Sequence, residues 1–180
     1  MLFYQRACIM VKNDSRGRED FMMLYLLMIL VAAVVVAADQ LSKLWVVANI
    51  PLHTSVSAIP GLFHLTYVQN TGAAFSSFQG MQWLFAVIFA LFTIAIIWEF
   101  SKKRLPFTTF DRWCIALVYA GGLGNMIDRV RLGYVVDMIC VDFINFPVFN
   151  VADCFITCGC IALMVSLIFF NRDFWKDEKK

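Results

Sequence analysis

The chain has 180 residues, of which 61% are apolar and only 16% charged, and its 15 Lys and Arg against 13 Asp and Glu give a formal net charge of +2. A water-soluble domain is about half apolar and a quarter charged, so this composition argues against one and for a bilayer protein. The small positive excess gives no basis for nucleic-acid binding, because it follows the membrane topology set out below.

Residues 1–20 are mixed in charge and are expected to form a mobile cytoplasmic tail, or an overlong start, since Met22 and Met23 could also initiate. Residues 21–38, FMMLYLLMILVAAVVVAA, carry no charge over about the length that crosses a hydrocarbon core roughly 30 Å thick. A cleaved signal peptide is the competing reading. The long charged lead, the long apolar run and Asp39 directly after it favour an uncleaved anchor. Residues 39–80 then form a first outer loop. Within it, Pro60 and Gly61 mark a turn before the partly alternating residues 62–68, which read as a strand, and NTGAAFSSF follows as a small-residue, flexible stretch.

A second span covers residues 81–98. The third is harder: residues 113–127 are short and glycine-rich, with residues 108–112 and Asp128 completing the ends at the interface. Residues 129–150 form a second outer loop, in which a β-branched stretch, 134–136, leads into Asp137. Residues 151–170 are the fourth span, with Asp153 near its start, and residues 171–180 a C-terminal cytoplasmic tail. The fold expected is therefore an all-α integral membrane protein of four transmembrane helices.

Cations agree with that count. They gather before the first span, at Lys102, Lys103, Arg104 and Arg112, and after the fourth span at Arg172, Lys176, Lys179 and Lys180. The outer loops hold only Lys43, and Arg129 with Arg131. By the positive-inside rule both termini and the middle loop are cytoplasmic.

The six cysteines, Cys8, Cys114, Cys140, Cys154, Cys158 and Cys160, show no ligand-pair spacing, and the two histidines, His53 and His64, sit in the first outer loop. No metal site is read from them. Most are packers within helices, while Cys140, outside, is either a free thiol or a partner for Cys154.

Acidic residues carry the functional question. Asp39 and Asp128 end the first and third spans with Lys43 and Arg129 as available partners, which leaves Asp137 and Asp153 to share a site at the same membrane boundary. Two close carboxylates cannot both ionise easily, so one keeps a proton near neutral pH, as an aspartic protease requires. A proton or ion pathway, or structural helix-end carboxylates, remain open on these residues alone. Asp142, between the two, reads as a solvated loop residue.

The blocks DQLSKLW (39–45), QNTGAAFS (69–76), GLGNMIDR (122–129), GYVVDMI (133–139) and FNVAD (149–153) together resemble the lipoprotein signal peptidases, or signal peptidase II, in order and across residues 21–170. The resemblance implies a bacterial inner-membrane aspartic endopeptidase, its site at the outer face, that cuts diacylglyceryl-modified prolipoproteins just before the lipidated cysteine. Asp137 and Asp153 match the catalytic pair. Asn70, Asn125, Arg129 and Asn150 match substrate-holding residues, and Asp39, Lys43 and Asp128 match supporting positions. The resemblance further implies a small extracytoplasmic β-cradle, a mobile lid including residues 72–78, contact with membrane lipids, inhibition by globomycin-type depsipeptides, and no metal or cofactor. Departures are slight: Ala120, Gly121 and Gly122 stand where Gly-Gly-Ala is frequent, and Cys154 where serine is common. The alternative, a proton-coupled small membrane transporter, would place acids near the midplane between repeated or unwound helices.

Overall fold

The computed structural model describes residues 2–72, 78–102 and 105–176, with side chains described from residue 22 onward. The lid expected over residues 72–78 falls mostly on residues 73–77, outside the described residues, as do Lys103, Arg104, Lys179 and Lys180.

Helix α1, Leu2–Asn49, takes in residues 2–20 as well as the apolar run. It also extends well past residue 38, so the loop expected to start at Asp39 begins near Ile50. The reason is local: Asp39 and Lys43 are four residues apart, pair across one helical turn, and face inward. Helix α2, Gln82–Lys102, follows the second apolar run. Helix α3, Thr109–Leu132, opens on a reciprocal cap between Thr108 and Asp111 and closes at Gly133, whose φ of 80° is a left-handed stop that glycine adopts without penalty. Arg129 and Arg131, expected in the second outer loop, belong to its last turn. Helix α4, Val151–Val165, opens on an equivalent cap between Asn150 and Asp153 and widens into a π turn at Ser166–Phe170.

Three of these segments are long and apolar enough to cross a membrane: Met22–Asn49, Gln82–Lys102 and Val151–Phe170. Along them large apolar side chains such as Leu30, Val34, Leu91, Ile94 and Ile168 are exposed, as lipid contact requires. Helix α3 differs. Its 24 residues span about 36 Å, but Asp111, Asn125 and Asp128 interrupt its apolar character. Those three are buried, because α3 is the central helix, packed against α1, α4 and α2. The arrangement is mostly helical, with three span-capable helices and one polar-cored central helix.

Strands β1 (Ser55–Ile59), β2 (Phe63–Asn70) and β3 (Val135–Val141) form one antiparallel sheet in that order. The strand expected at residues 62–68 is β2, and the β-branched approach to Asp137 lies in β3. On β2 a bulge between Leu65 and Val68 sets Val68 opposite Asp137 and Asn70 opposite Val135. Tyr67, Val136 and Met138 bury against Val46 and Ile50, which seats the sheet on the last turns of α1. Cys114, Cys140, Cys154, Cys158 and Cys160 are all free, so the Cys140–Cys154 bridge is not formed.

Candidate active site

Asp137 projects from the middle of β3, and Asp153 from the first turn of α4. Fixing either one depends on asparagine amides. Asn70 Nδ2 donates to Asp137 Oδ2 at 2.8 Å, and Asn150 Nδ2 donates to Asp137 Oδ1 at 2.7 Å. Asn125 Nδ2 donates to Asp153 Oδ1 at 2.8 Å, and the Asn150 backbone N–H donates to Asp153 Oδ2 at 3.2 Å. Asn150 thus holds both carboxylates at once, while its own Oδ1 accepts from the Asp153 N–H at 3.0 Å. Every oxygen of the pair accepts one N–H and keeps a lone pair for a proton or a water. Burial pushes the Asp137 carboxyl up to about 6, with the Asp153 charge adding to the rise and the Asn70 and Asn150 hydrogen bonds opposing it.

Behind the amides lies a buried ion cluster. Lys43 Nζ is 2.7 Å from Asp39 Oδ2 and 3.0 Å from Asp128 Oδ2, and it donates to Asn125 Oδ1 at 3.0 Å. Asn125 Oδ1 also accepts from Asn150 Nδ2 at 3.1 Å, so its NH2 is forced to face Asp153. Asp39 Oδ1 accepts the Ala152 N–H at 2.9 Å, where the positive end of α4 favours a carboxylate. Asp128 Oδ2 accepts the Val136 N–H at 3.1 Å, next to Asp137 in β3. One lysine and two carboxylates therefore tie α1, α3, β3 and α4 together around the candidate pair. Gly124 is required for this approach: a Cβ there would lie 2.7 Å from Asp39 Oδ2.

The sequence pairing of Asp128 with Arg129 is corrected. Successive residues on a helix diverge by about 100°, so Asp128 faces Lys43 while Arg129 turns into the cavity. There Arg129 donates to Gly72 O at 3.0 Å and to Asn125 O at 3.3 Å, and its guanidinium lies 4.3 Å from the Phe85 ring centre. Its buried Nε–H has no partner among the described residues, leaving a donor available to a bound carbonyl.

One participant, Gln40, was not among the residues read from the sequence, and Asn150 was read as substrate-holding without its capping role. Gln40 Nε2 donates to Asp128 Oδ1 at 2.9 Å and to Gly124 O at 3.1 Å; its place between Asp39 and Lys43 on one helix face was the available signal. The capping role of Asn150 was visible in the N-x-x-D spacing of NVAD.

Asp142 is not a free loop residue. Its Oδ1 is 2.5 Å from His64 Nδ1, because the β2–β3 register sets His64 opposite Cys140, two residues away. Both side chains are more than a quarter exposed, so the pair is worth at most about 1 kcal/mol. Asp142→Asn should retain near-normal activity and lose no more than that in stability, measured by unfolding in detergent beside an activity assay. A loss of activity as deep as that of an Asp137 variant would move the site toward the sheet edge.

Asp137, Asp153, Asn70, Asn125 and Arg129 line one cavity of about 1090 Å³, walled on one side by Phe85, Ile88, Phe89 and Phe92 of α2 and on the other by Cys154, Ile156 and Thr157 of α4. Its α2 and α4 walls are mostly apolar, with Thr157 among them.

The sequence model of the family described as Signal peptidase (SPase) II matches residues 31–169. A lipoprotein signal peptidase of Streptococcus agalactiae serotype Ia is 44% identical over 149 residues, covering 83% of this chain and 92% of that protein. One of Streptococcus pyogenes serotype M1 is 44% identical over 152 residues, covering 84% and 95%. A bacterial membrane enzyme solved by the in meso method at 2.3 Å resolution superposes with a TM-score of 0.74 at 34% identity, covering 85% of this chain and 93% of that one. Matched over most of its length in sequence and in structure, the chain belongs to the signal peptidase II family.

Proposed function

We propose that Asp137 and Asp153 are the catalytic pair of an aspartic endopeptidase that works at the outer face of a bacterial cytoplasmic membrane. Family membership and the names of the relatives give the reaction, removal of the signal peptide from prolipoproteins. The observation that carries the catalytic reading is the joint hold of Asn150 on both carboxylates within one cavity. One carboxyl, protonated, polarises the scissile carbonyl, and its ionised partner takes a proton from the attacking water. Asn70, Asn125, Asn150 and Arg129 orient the pair and the substrate backbone where few waters compete. Asp39, Lys43 and Asp128 support them from behind. The proton-coupled transporter is set aside, since the family and its named relatives are peptidases.

The substrate carries a diacylglyceryl group on the cysteine after the cut and arrives sideways through the bilayer. The apolar walls of α2 and α4 take its acyl chains, and the asparagine-lined end takes the peptide. Binding energy from those chains is spent at the reacting bond. A prolipoprotein lacking the diacylglyceryl group should accordingly show kcat/KM lower by about 100-fold than its lipidated form. The test is cleavage by purified protein in detergent or lipid cubic phase; equal turnover of the two forms would refute this mode of recognition. A globomycin-type depsipeptide should compete for the same cavity.

Four spans complete the arrangement, with α3 as the third, its polar residues satisfied by neighbouring helices and not by lipid. Both termini and Lys102 are then cytoplasmic. A cysteine probe placed at Lys102 in a cysteine-free background should be labelled only after the membrane is permeabilised, and labelling from the outside would sink the topology.

A further inference from the structure

We infer that Phe89, seated against Gly122 and stacked on Tyr119, sets the bore of the cavity for the substrate's acyl chains and so acts as a specificity-determining residue. The inference rests on the reading above that these chains enter between α2 and α4. Glycine inside a helix costs about 1 kcal/mol relative to alanine, so its presence at the middle of α3 needs a reason. The reason is a close approach: a Cβ at Gly122 would stand 3.0 Å from Phe89 Cε2 and 3.4 Å from Cδ2. The Phe89 ring lies at 5.2 Å and 22° from that of Tyr119, and Phe92 meets the same tyrosine at 6.2 Å. One edge of Phe89 thus crowds the space a methyl group would take, while the ring also lines the cavity. Helix α2 packs chiefly on α3, so this aromatic seat governs how far its wall stands from α4.

A methyl group at position 122 obliges the Phe89 ring edge to give way by a few tenths of an ångström. With Tyr119 stacked on one side of the ring, we take that shift to be toward the cavity the ring lines. Gly122→Ala should raise KM for a diacylated prolipoprotein about tenfold, the effect of one methylene in an apolar pocket, with kcat within about twofold. Slow cleavage of the unlipidated form should be unchanged, which a merely structural defect would not allow. Phe89→Leu removes the colliding ring edge, so the double variant Gly122→Ala with Phe89→Leu should return KM to within about twofold of the parent.

The experiment is steady-state cleavage of lipidated and unlipidated prolipoprotein by the full-length parent, the two single variants, the double variant and Asp137→Asn. A selective KM rise reversed in the double variant supports the inference. Unchanged KM in Gly122→Ala beside an active parent, an equal loss with both substrates, or additive losses in the double variant would each overturn it. An inactive parent, or an Asp137→Asn protein that still cuts, would bring down the underlying functional reading, and the inference with it.

Discussion

Asp137→Asn and Asp153→Asn should each lower cleavage by about three orders of magnitude or more while leaving folded protein in the membrane. An amide preserves shape and most hydrogen-bonding capacity, but it neither accepts a proton from water nor cycles between acid and base. At position 137 the amide oxygen can still accept from Asn150 or Asn70 but its NH2 cannot accept from the other, so one hydrogen bond is lost there while the sheet and helix contacts that hold the fold stay in place. The intact pair adds a pH signature. Because burial lifts Asp137 to about 6 from an ordinary 3.8, its proton favours the folded site. That contribution to stability is full below 3.8 and is lost as pH rises through about 6. Activity should follow a bell whose two apparent values belong to the pair, with its alkaline limb falling above that upper value. Cleavage assays of each variant in a strain lacking the parent gene, with a pH series on the parent protein, decide the matter. Substantial cleavage by either asparagine variant would refute the assignment.

Lys43→Met should be the most destabilising single change outside the catalytic pair. It removes the cation from a site where Asp39, Asp128 and Lys43 are all nearly inaccessible, leaving two buried carboxylates facing each other. Breaking a buried ion pair on one side costs roughly 3–5 kcal/mol, because the surviving charge has lost its compensation. Asn125 would also lose the lysine donor that helps orient its amide toward Asp153. Thermal unfolding in detergent should show a large drop, and little protein should accumulate in membranes. Asp128→Asn should fall between this and the parent. Asp39 still pairs Lys43 there, and an amide oxygen can still accept the Val136 N–H. A Lys43→Met protein as stable and active as the parent would show that the cluster carries neither role.

The candidate pair was legible early because of what surrounds it. Asp137 and Asp153 stand in otherwise apolar stretches, where an unexplained carboxylate is costly and draws notice. Three of the four helices were equally plain, since a continuous apolar run needs no partner to be recognised. The third was read as a short, glycine-rich span, and its interrupted composition has a physical cause. Gly121 would place a Cβ 2.5 Å from Ala152 O, and Gly124 would crowd Asp39, so the residues that weaken its hydropathy are those that let α3 sit at the centre.

Partner choice was not legible. Asp128 and Arg129 are neighbours in sequence, yet a helix turns them to different surroundings, one toward Lys43 from α1 and the other toward the cavity and Phe85. Asp142 reads as a lone acid until the β2–β3 register brings His64 beside it.

Taken alone, the sequence determined that the chain is a membrane protein, which residues form its apolar helices, and where its cations lie along the chain. These are local properties, set by composition and by the period of each segment. Only the tertiary structure decided that Asn150 holds both acids, that Lys43 serves Asp39 and Asp128 together, and that Phe89 rests in the space left by Gly122. Each depends on a distance between residues far apart in the chain, and such distances are set by how helices and strands pack.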